Sequence, residues 1–295
     1  MTARDRGFLL LTGYLGDPDR HPLTVAQFRE LTQRSRAMEK PLEDRQLRQE
    51  DLVNIGCSPA FSNRVLKLLS DEEQLDWYLE TGERQNCKAI TRLQEAYPYR
   101  LRTCLGLDAP ACIWVKGNTE LLYKEKVALV GSRELYPENT DFAENVGKQA
   151  ALQGYVLVSG NARGADRIAQ ESCLAHGGDV ISIVADELGK KPLSNHVLYL
   201  SEDGFDLPFL SARALSRNRL IHSLTEKTFV AQCSLEKGGT WDGTVRNLQS
   251  NWSAVFCFDD GTDVCRELQC RGAKLVKTEN LVNFASLHDD MIQFF

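Results

Sequence analysis

Three glycine-containing segments of the chain combine backbone N–H groups with neighbouring arginines, which is the chemistry of an anion-binding site. The segments are Gly131-Ser132-Arg133, Ser159-Gly160-Asn161-Ala162-Arg163-Gly164 and Gly238-Gly239-Thr240. Glycine turns that follow strands can point several N–H groups at one ligand, and a helix N-terminus after the turn favours an anion. Arg133 and Arg163 are placed to make forked contacts with phosphate oxygens. The pattern therefore predicts a phosphate-bearing ligand.

More basic residues lie later in the chain. Arg217-Asn218-Arg219 follows Arg213, and Arg213 and Arg217 are four apart, as one helix face requires. Alone, such a run is more often a solvated basic face paired with carboxylates. Lys237 directly precedes the third glycine turn and could reach a phosphate. The candidate phosphate-binding residues are therefore Gly131, Ser132, Arg133, Ser159, Gly160, Arg163, Gly164, Arg213, Arg217, Asn218, Arg219, Lys237, Gly238, Gly239 and Thr240.

Common cofactor and catalytic motifs do not occur in the chain. GxxxxGK[ST] is absent, and GxGxxG does not follow the first apolar run, which disfavours binding of ATP or a dinucleotide in those manners. The nine cysteines are scattered, and no histidine neighbours a cysteine at ligand spacing, so we expect neither a metal nor another cofactor. No nucleophile and base stand at a convincing spacing, and the sequence predicts binding without catalysis.

The elements that position the first two turns form a repeating unit. The apolar run Val127 to Val130 ends at the first turn, and an amphipathic segment follows with Phe142, Val146 and Ala150 spaced four apart. A second apolar run, Tyr155 to Val158, ends at the second turn. This order predicts a right-handed βαβ unit. Both turns then lie at the carboxyl edge of a parallel sheet, where such folds bind ligands.

The alternation of strand-like and helical segments continues through the second half of the chain. The predicted strands are Val180 to Val184, Val197 to Leu200, Thr228 to Gln232 and Ala254 to Phe258, and the predicted helices lie near 163–176, 211–224, 241–250 and 264–271. Pro110 to Asn118 is expected to add an edge strand. The sequence therefore predicts an α/β fold with a doubly wound, mainly parallel sheet.

The first 84 residues have helical spacings and no residues arranged for chemistry. Thr24 to Gln27 has the capping pattern of a helix start, and Ser58-Pro59 suits an N-cap followed by proline. Four or so short helices are expected to form a small bundle, and polar Gly82 to Lys88 is interpreted as a linker. The predicted division is a helical domain at 1–84 and an α/β domain at 85–295.

Composition limits the partners. The 295 residues carry a formal net charge of −6, and the first 126 residues are balanced, so the acidic excess lies in the second half. This charge counts against non-specific coating of nucleic acid, and a polyanion would have to be held by a local constellation. No apolar run approaches the roughly 20 residues that cross a bilayer. The polar N-terminus and unpatterned cysteines are typical of a cytoplasmic protein.

Taken in order, these segments resemble the DprA (Smf) family of bacterial DNA-processing proteins. The resemblance spans roughly Ala96 to Ala273. The matching pieces are Tyr97-Pro98, Leu101, Pro110, Val115 to Asn118, Val130 to Arg133, Ser159-Gly160, Ala162 to Gly164, Asp166, Gly177-Gly178, Ser201-Glu202, Arg217 to Arg219, Ile221, Gly239-Thr240 and Gly272-Ala273. It implies an extended Rossmann-like domain behind a small helical domain. It also implies a homodimer that binds and protects single-stranded DNA and loads the RecA recombinase onto it during natural transformation.

The resemblance also implies roles for individual residues. Phosphates would be held by Arg133, Ser159, Gly160, Arg163 and Gly164, and the same pocket would be lined by Arg217, Asn218 and Arg219. The sequence departs from the family at Gln170, where a histidine is usual, in the segment 188–192, and at Ala214, where many members carry a phenylalanine. An aromatic ring at such a site can stack on a base. Phe205 or Phe209 could supply it here.

Other functions fit parts of the same pattern. Related Rossmann-like domains include nucleotide-sensing modules of antiphage defence and hydrolases of nucleoside monophosphates. Those hydrolases carry PGGxGTxxE with a catalytic glutamate, whereas Asn247 stands at that position after Gly238 to Thr244. Asp166, Glu202 and Asp242 remain near the predicted site, although such carboxylates are more often caps or arginine partners. A third alternative is an interaction protein with a vestigial pocket.

Overall fold

The computed structural model describes residues 1–36, 38 and 47–287. The strands of its sheet are β1 (Lys88–Thr91), β2 (Cys112–Gly117), β3 (Lys126–Val130), β4 (Val156–Ser159), β5 (Asp179–Ile183), β6 (Val197–Ser201), β7 (Lys227–Val230), β8 (Ala254–Phe258) and β9 (Lys274–Val276). They lie in the order β1-β2-β6-β5-β4-β3-β7-β8-β9.

Helices precede the sheet and connect its strands. They are α1 (Ala3–Thr12), α2 (Val25–Ser35), α3 (Gln49–Asn54), α4 (Pro59–Leu69), α5 (Glu72–Arg84), α6 (Tyr99–Leu105), α7 (Pro137–Leu152), α8 (Ala165–Ala175), α9 (Ser211–Ser223), α10 (Gly238–Ser250) and α11 (Asp263–Cys270). Thr24 caps α2 in a capping box with Gln27, and Ser58 caps α4 with Pro59 in its first turn, as the sequence predicted. Within the described ranges, no helix has the length and apolar character needed to cross a membrane.

The direction of the strands places a ligand-binding crevice at the centre of the sheet. β3 to β9 run parallel, while β2 is antiparallel to β6 and β1 is antiparallel to β2. From β3 the chain proceeds outward through β4, β5 and β6 on one side, and β7, β8 and β9 lie on the other. The strand order therefore reverses between β3 and β7, and ligands of such sheets bind at the carboxyl ends of the strands at this point. The predicted fold class is confirmed.

Both faces of the parallel strands are covered by helices, which explains why these strands are almost continuously apolar. On one face, Val127 and Leu129 of β3 pack with buried residues of α7 and α8, including Phe142 and Ala169. On the other face, the alternate residues of the same strands pack with α6, α9, α10 and α11; these include Ala128, Val130, Leu101, Leu220, Ile221, Trp241 and Leu268. The strand period of two therefore divides one apolar run between two cores.

Two expectations about the sheet were wrong. β2 is not an edge strand, because β1 pairs along it from Lys88 to Thr91. The segment 82–88, interpreted as a linker, holds the end of α5 and the first residue of β1. β1 has only four residues, and their mixed composition has no strand period long enough to recognise; its hydrogen bonds to β2 define it instead.

Five helices, α1 to α5, occupy the described part of the first 84 residues. The first four of them, α1 to α4, share an apolar core that includes Phe28, Leu31, Val65 and Leu68. A second cluster joins them to the sheet, and it contains Leu9, Leu75, Tyr78, Trp114 and Phe205. We call α1 to α5 the helical unit; the domain division at residue 84 stays a prediction.

Candidate functional site

The three glycine segments meet at the point where the strand order reverses. Ser132 N donates to Gln232 O after β7 at 2.8 Å, and Ala165 N at the start of α8 donates to Ser132 O at 3.1 Å. Thr240 Oγ1 in α10 donates to Gly131 O at 3.0 Å. The turn after β3 is thus hydrogen-bonded directly to the segments that follow β4 and β7. Parallel strands with turns at one edge require this convergence.

Two adjoining cavities open over these turns, with volumes of about 400 Å³ and 490 Å³. Both are lined by Arg133, Ala162, Ala214 and Arg217, so they form one continuous depression that we call the carboxyl-edge groove. Its first part also contains Gly131, Ser132, Asn218, Lys237, Gly238, Gly239 and Thr240. Its second part also contains Gly160, Arg163, Asp186 and Phe209.

Arg217 forms the floor of the groove. It is buried, and its guanidinium lies so close to Gly160 that a Cβ there would be 1.4 Å from Arg217 Nη1. The Asp166 carboxylate accepts hydrogen bonds from Gly160 N at 3.0 Å and Ala162 N at 3.3 Å, and it interacts electrostatically with Arg217. Burial raises the pKa of Asp166, and the arginine and the two N–H groups oppose that shift. Gly160 is therefore required by the close approach of a charged side chain.

Ser159 and Gly164 shape the groove from behind. Ser159 is fully buried, and its Oγ accepts a hydrogen bond from Gln170 Nε2. Gly164 has φ +88°, and a Cβ there would lie 2.5 Å from the carbonyl oxygens of Ser132 and Arg133. Only glycine combines this backbone conformation with such close packing of two turns. The Ser159 side chain does not line the groove, whereas the sequence grouped it with the phosphate-contacting residues.

The cations that are free to meet an anion lie at the rim. Arg133 and Lys237 are exposed, and in the described part of the chain neither has an ion-pair partner. Arg163 pairs with Glu134 at 3.1 Å, but both side chains are largely exposed, at 72% and 87%. An ion pair with that exposure contributes little and is easily exchanged for a ligand. The N-terminus of α10 adds the backbone N–H groups of the third turn, and it begins at Gly238 rather than at the predicted 241.

Arg213 and Arg219 lie outside the groove, unlike the other candidate arginines. Arg219 pairs with Glu202 in a buried contact and donates to Asp108 O at 2.8 Å. Arg213 pairs with Asp203 at 3.4 Å and also donates to Pro208 O. Residues two apart on a helix point in different directions, so Arg217 and Arg219 cannot share a surface. Arg213 does lie on the same face of α9 as Arg217, but it contacts the loop after β6 instead of the groove.

Residues that the sequence did not single out also organise the site. Gln232 Oε1 accepts from Tyr136 N at 2.9 Å, and its Nε2 donates to Glu134 O at 3.3 Å, which fixes the chain between β3 and α7. Its position as the last residue of a predicted strand was the available signal. Of the two aromatic candidates, Phe205 is 1% exposed, whereas Phe209 is 52% exposed and lines the groove.

The described residues contain no trio of His, Cys, Asp or Glu side chains arranged to hold a metal ion. Asn247, at the position of the hydrolase glutamate, is fully buried; its Nδ2 donates to Ser253 Oγ at 3.0 Å and its Oδ1 accepts from Ser253 N at 2.9 Å. It is not among the residues that line the groove. The geometry supports anion binding and supplies no carboxylate for glycosidic cleavage at that position.

Comparisons with known proteins identify the family to which the chain is similar. Residues 88–286 match the family model of DNA recombination-mediator protein A. The DNA processing protein DprA of Streptococcus pneumoniae is 30% identical over 249 residues, which cover 79% of this chain and 85% of that protein. Protein Smf of Escherichia coli is 27% identical over 184 residues, 57% of this chain and 46% of that protein.

Solved structures of DNA processing proteins also superimpose on the chain. The crystal structure of DprA from Streptococcus pneumoniae superimposes with a TM-score of 0.74 at 26% identity, covering 98% of this chain and 99% of that one. DNA processing protein A from Helicobacter pylori, solved to explain its single-stranded DNA binding mode, has a TM-score of 0.56 at 25% identity, covering 67% of this chain and 94% of that one. The family match contains β1 to β9, with all three glycine turns and Arg217, and the chain therefore belongs to the DprA/Smf family of DNA recombination-mediator proteins.

Proposed function

We propose that this chain binds single-stranded DNA in the carboxyl-edge groove, mainly through the phosphates. The observation that carries the proposal is the convergence of three N–H-rich turns with exposed cations at one edge of the sheet; among the described residues, two of these cations, Arg133 and Lys237, have no ion-pair partner. The Helicobacter pylori relative, which binds single-stranded DNA, supports the choice of ligand. Because the whole chain carries a net charge of −6, a local constellation is the means by which it can hold a polyanion.

The residues of the groove have distinct roles in this proposal. Arg133, Arg163 and Lys237 contact phosphates from the rim, and the N–H groups at the start of α10 contribute a partial positive charge. Arg217 supports the floor, held by Gly160 and Asp166. Ser159 and Gly164 keep the turns in place without contacting the ligand.

We further propose that the chain acts as a homodimer in the cytoplasm, protects single-stranded DNA and loads RecA onto it during natural transformation. Membership of a family of recombination mediators supports this role. The nine free cysteines suit a reducing compartment. Sedimentation of the purified chain and stimulation of RecA-driven strand exchange test the assembly and the partner separately.

Fluorescence anisotropy with a labelled oligothymidylate tests DNA binding directly, with free nucleotides as competitors. We expect the oligomer to bind, and log Kobs to fall linearly with log salt by about 0.7 for each phosphate contact. Free nucleotides should compete weakly, because they offer only one or two of these contacts. A preference for a free nucleotide over the oligomer would contradict the proposal and favour nucleotide sensing.

A further inference from the structure

The loop of residues 202–210, between β6 and α9, connects the helical unit to the carboxyl-edge groove. Near its start, Phe205 is 1% exposed and packs between Tyr78 of α5 and Trp114 of β2, with ring centroids 4.4 Å and 5.1 Å away. Four residues later, Phe209 is 52% exposed and lines the groove beside Arg163. One end of a short loop is therefore fixed in a core, and the other end lies at the proposed DNA site.

The Tyr78 hydroxyl anchors this loop by polar contacts. It donates to Asp206 Oδ1 at 2.5 Å and accepts from Phe205 N at 3.4 Å. Burial raises the pKa of the phenol, so Tyr78 remains a hydrogen-bond donor at all physiological pH values. Gly204, with φ +145°, allows the approach, because a Cβ there would lie 2.7 Å from the hydroxyl oxygen. These contacts are made by a helix that itself stays outside the groove.

The far end of the loop is held by α9. Arg213 pairs with Asp203 at 3.4 Å and donates to Pro208 O, directly before Phe209. The Phe209 ring is half exposed and belongs to none of the buried clusters among the described residues, so its place depends on the backbone that carries it. A binding group that is held in place before the ligand arrives loses less entropy on binding.

We infer that Tyr78 is a positioning residue for a nucleobase contact: by anchoring loop 202–210 it holds the Phe209 ring in the groove, where a base stacks on it. The inference rests on the proposed binding of single-stranded DNA. It gives the helical unit a part in DNA affinity, although none of the described residues before Val130 lines the groove.

Two labelled oligonucleotides of equal length test the inference: an oligothymidylate, and one in which abasic sites replace the bases. Their phosphates are the same, so the ratio of their affinities reports base contacts alone. Phe209→Ala should weaken thymidylate binding about 5- to 100-fold and leave abasic binding unchanged. Tyr78→Phe, which removes only the hydroxyl, should weaken thymidylate binding about 5-fold and likewise leave abasic binding unchanged.

The double variant Tyr78→Phe, Phe209→Ala should bind no more weakly than Phe209→Ala, because both changes act through one ring. Asp206→Asn weakens the same hydrogen bond from the other side and should reproduce Tyr78→Phe. Tyr99→Phe is the matched control: this tyrosine of α6 is 73% exposed, and the same loss of a hydroxyl should change neither affinity. Thermal unfolding of each variant reports whether it is folded.

The outcomes are distinct. Suppose that Tyr78→Phe and Asp206→Asn leave the ratio of thymidylate to abasic affinity unchanged, while Phe209→Ala lowers it. The positioning role is then wrong, and the proposed DNA binding stands. If Tyr78→Phe weakens both oligonucleotides equally, the tyrosine only stabilises the fold, and the inference also fails. If the unaltered chain binds neither oligonucleotide, the proposed function itself is wrong.

Discussion

Two arginines of α9 that stand two residues apart lie in opposite electrostatic settings. Arg217 lies on the groove side, against the Gly160 backbone and Asp166, next to exposed cations that have no carboxylate partner in the described chain. Arg219 lies on what we call the paired side, where Glu202 and the Asp108 carbonyl occupy its guanidinium. The same three-residue motif therefore contributes to the proposed ligand site and to a structural ion pair.

The difference between Arg217 and Arg219 shows that a basic sequence motif does not by itself identify an anion-binding site. On the paired side the positive charges form ion pairs with carboxylates of the protein itself. They are therefore not available to a ligand. On the groove side the backbone N–H groups of three turns add to cations that remain available. Variants on the two sides should therefore separate affinity from stability.

The largest effect should come from Gly160→Ala. The added Cβ would lie 1.4 Å from Arg217 Nη1, so the guanidinium must leave its place against Asp166. Displacing a buried charge from its partner costs about 3 kcal/mol of stability. Because the displaced guanidinium also disrupts the floor of the groove, we expect the oligothymidylate affinity of the folded protein to fall about 100-fold. Gly7→Ala in α1 is the control, because a Cβ there meets its nearest atom at 3.9 Å. If the Gly160 variant bound the oligonucleotide as tightly as the unaltered chain, Arg217 would not contribute to DNA binding.

Arg219→Ala should show the opposite pattern. The change leaves Glu202 buried without its charge partner, and the free energy of unfolding should fall by about 3 kcal/mol in urea titrations. DNA affinity of the folded protein should stay the same. Replacing both partners, Arg219→Met with Glu202→Leu, should recover most of the stability, since no buried charge is then left alone. A loss of affinity with a changed salt slope would place Arg219 on the groove side and break the comparison.

His222 extends the comparison to pH. It is 1% exposed, its Nδ1 lies 3.3 Å from Thr228 Oγ1, and burial lowers its pKa to about 3. The unfolded chain takes up this proton below about pH 6.5, whereas the folded chain does not, so stability is lost as pH falls from 6.5 towards 3. The free energy of unfolding should drop by about 2 kcal/mol between pH 7 and pH 5 from this group alone.

His222→Gln should flatten that part of the pH profile, whatever it does to stability at pH 7. His176→Gln, at an exposed position in the turn after α8, should leave the profile unchanged. An identical slope in the His222 variant and the unaltered chain would show that another group carries the acid sensitivity.

The sequence predicted those features of the molecule that depend on local pattern. The apolar runs before Gly131 and Gly160 and the helix between them imply parallel strands, and parallel strands place both turns at one edge. Non-local contacts could not be read in this way. Arg213 and Arg217 lie one turn apart on the same face of α9. Only the path of loop 202–210 determines that Arg213 pairs with Asp203.

The two aromatic residues of that loop illustrate the same limit. Phe205 lies between Gly204 and Asp206, whereas Phe209 lies between Pro208 and Leu210, and these neighbours do not predict that Phe205 is the buried ring. Contacts with Tyr78 and Trp114, which are more than eighty residues away in sequence, bury Phe205. Elements such as β1 were missed for the same reason, since pairing with β2 defines the strand.

The smallest expected effect belongs to the rim, and it tests whether the exposed cations act as phosphate ligands. Arg133→Ala should remove one phosphate contact, weakening binding about 5-fold at 0.1 M salt and making the plot of log Kobs against log salt shallower by about 0.7. Arg163→Ala should have a smaller effect, because the ion pair with Glu134 already neutralises part of the charge of Arg163.

Arg4→Ala, an exposed change of equal charge in α1, separates a local contact from the loss of overall positive charge. If it shifted the salt dependence as much as Arg133→Ala, the field of the whole chain would hold the DNA. The distinction between the groove side and the paired side would then have no consequence for binding. If only the rim variants shift it, and equally for thymidylate and abasic oligonucleotides, then phosphate contacts are confined to one edge of the sheet, and base contacts have to be sought at Phe209.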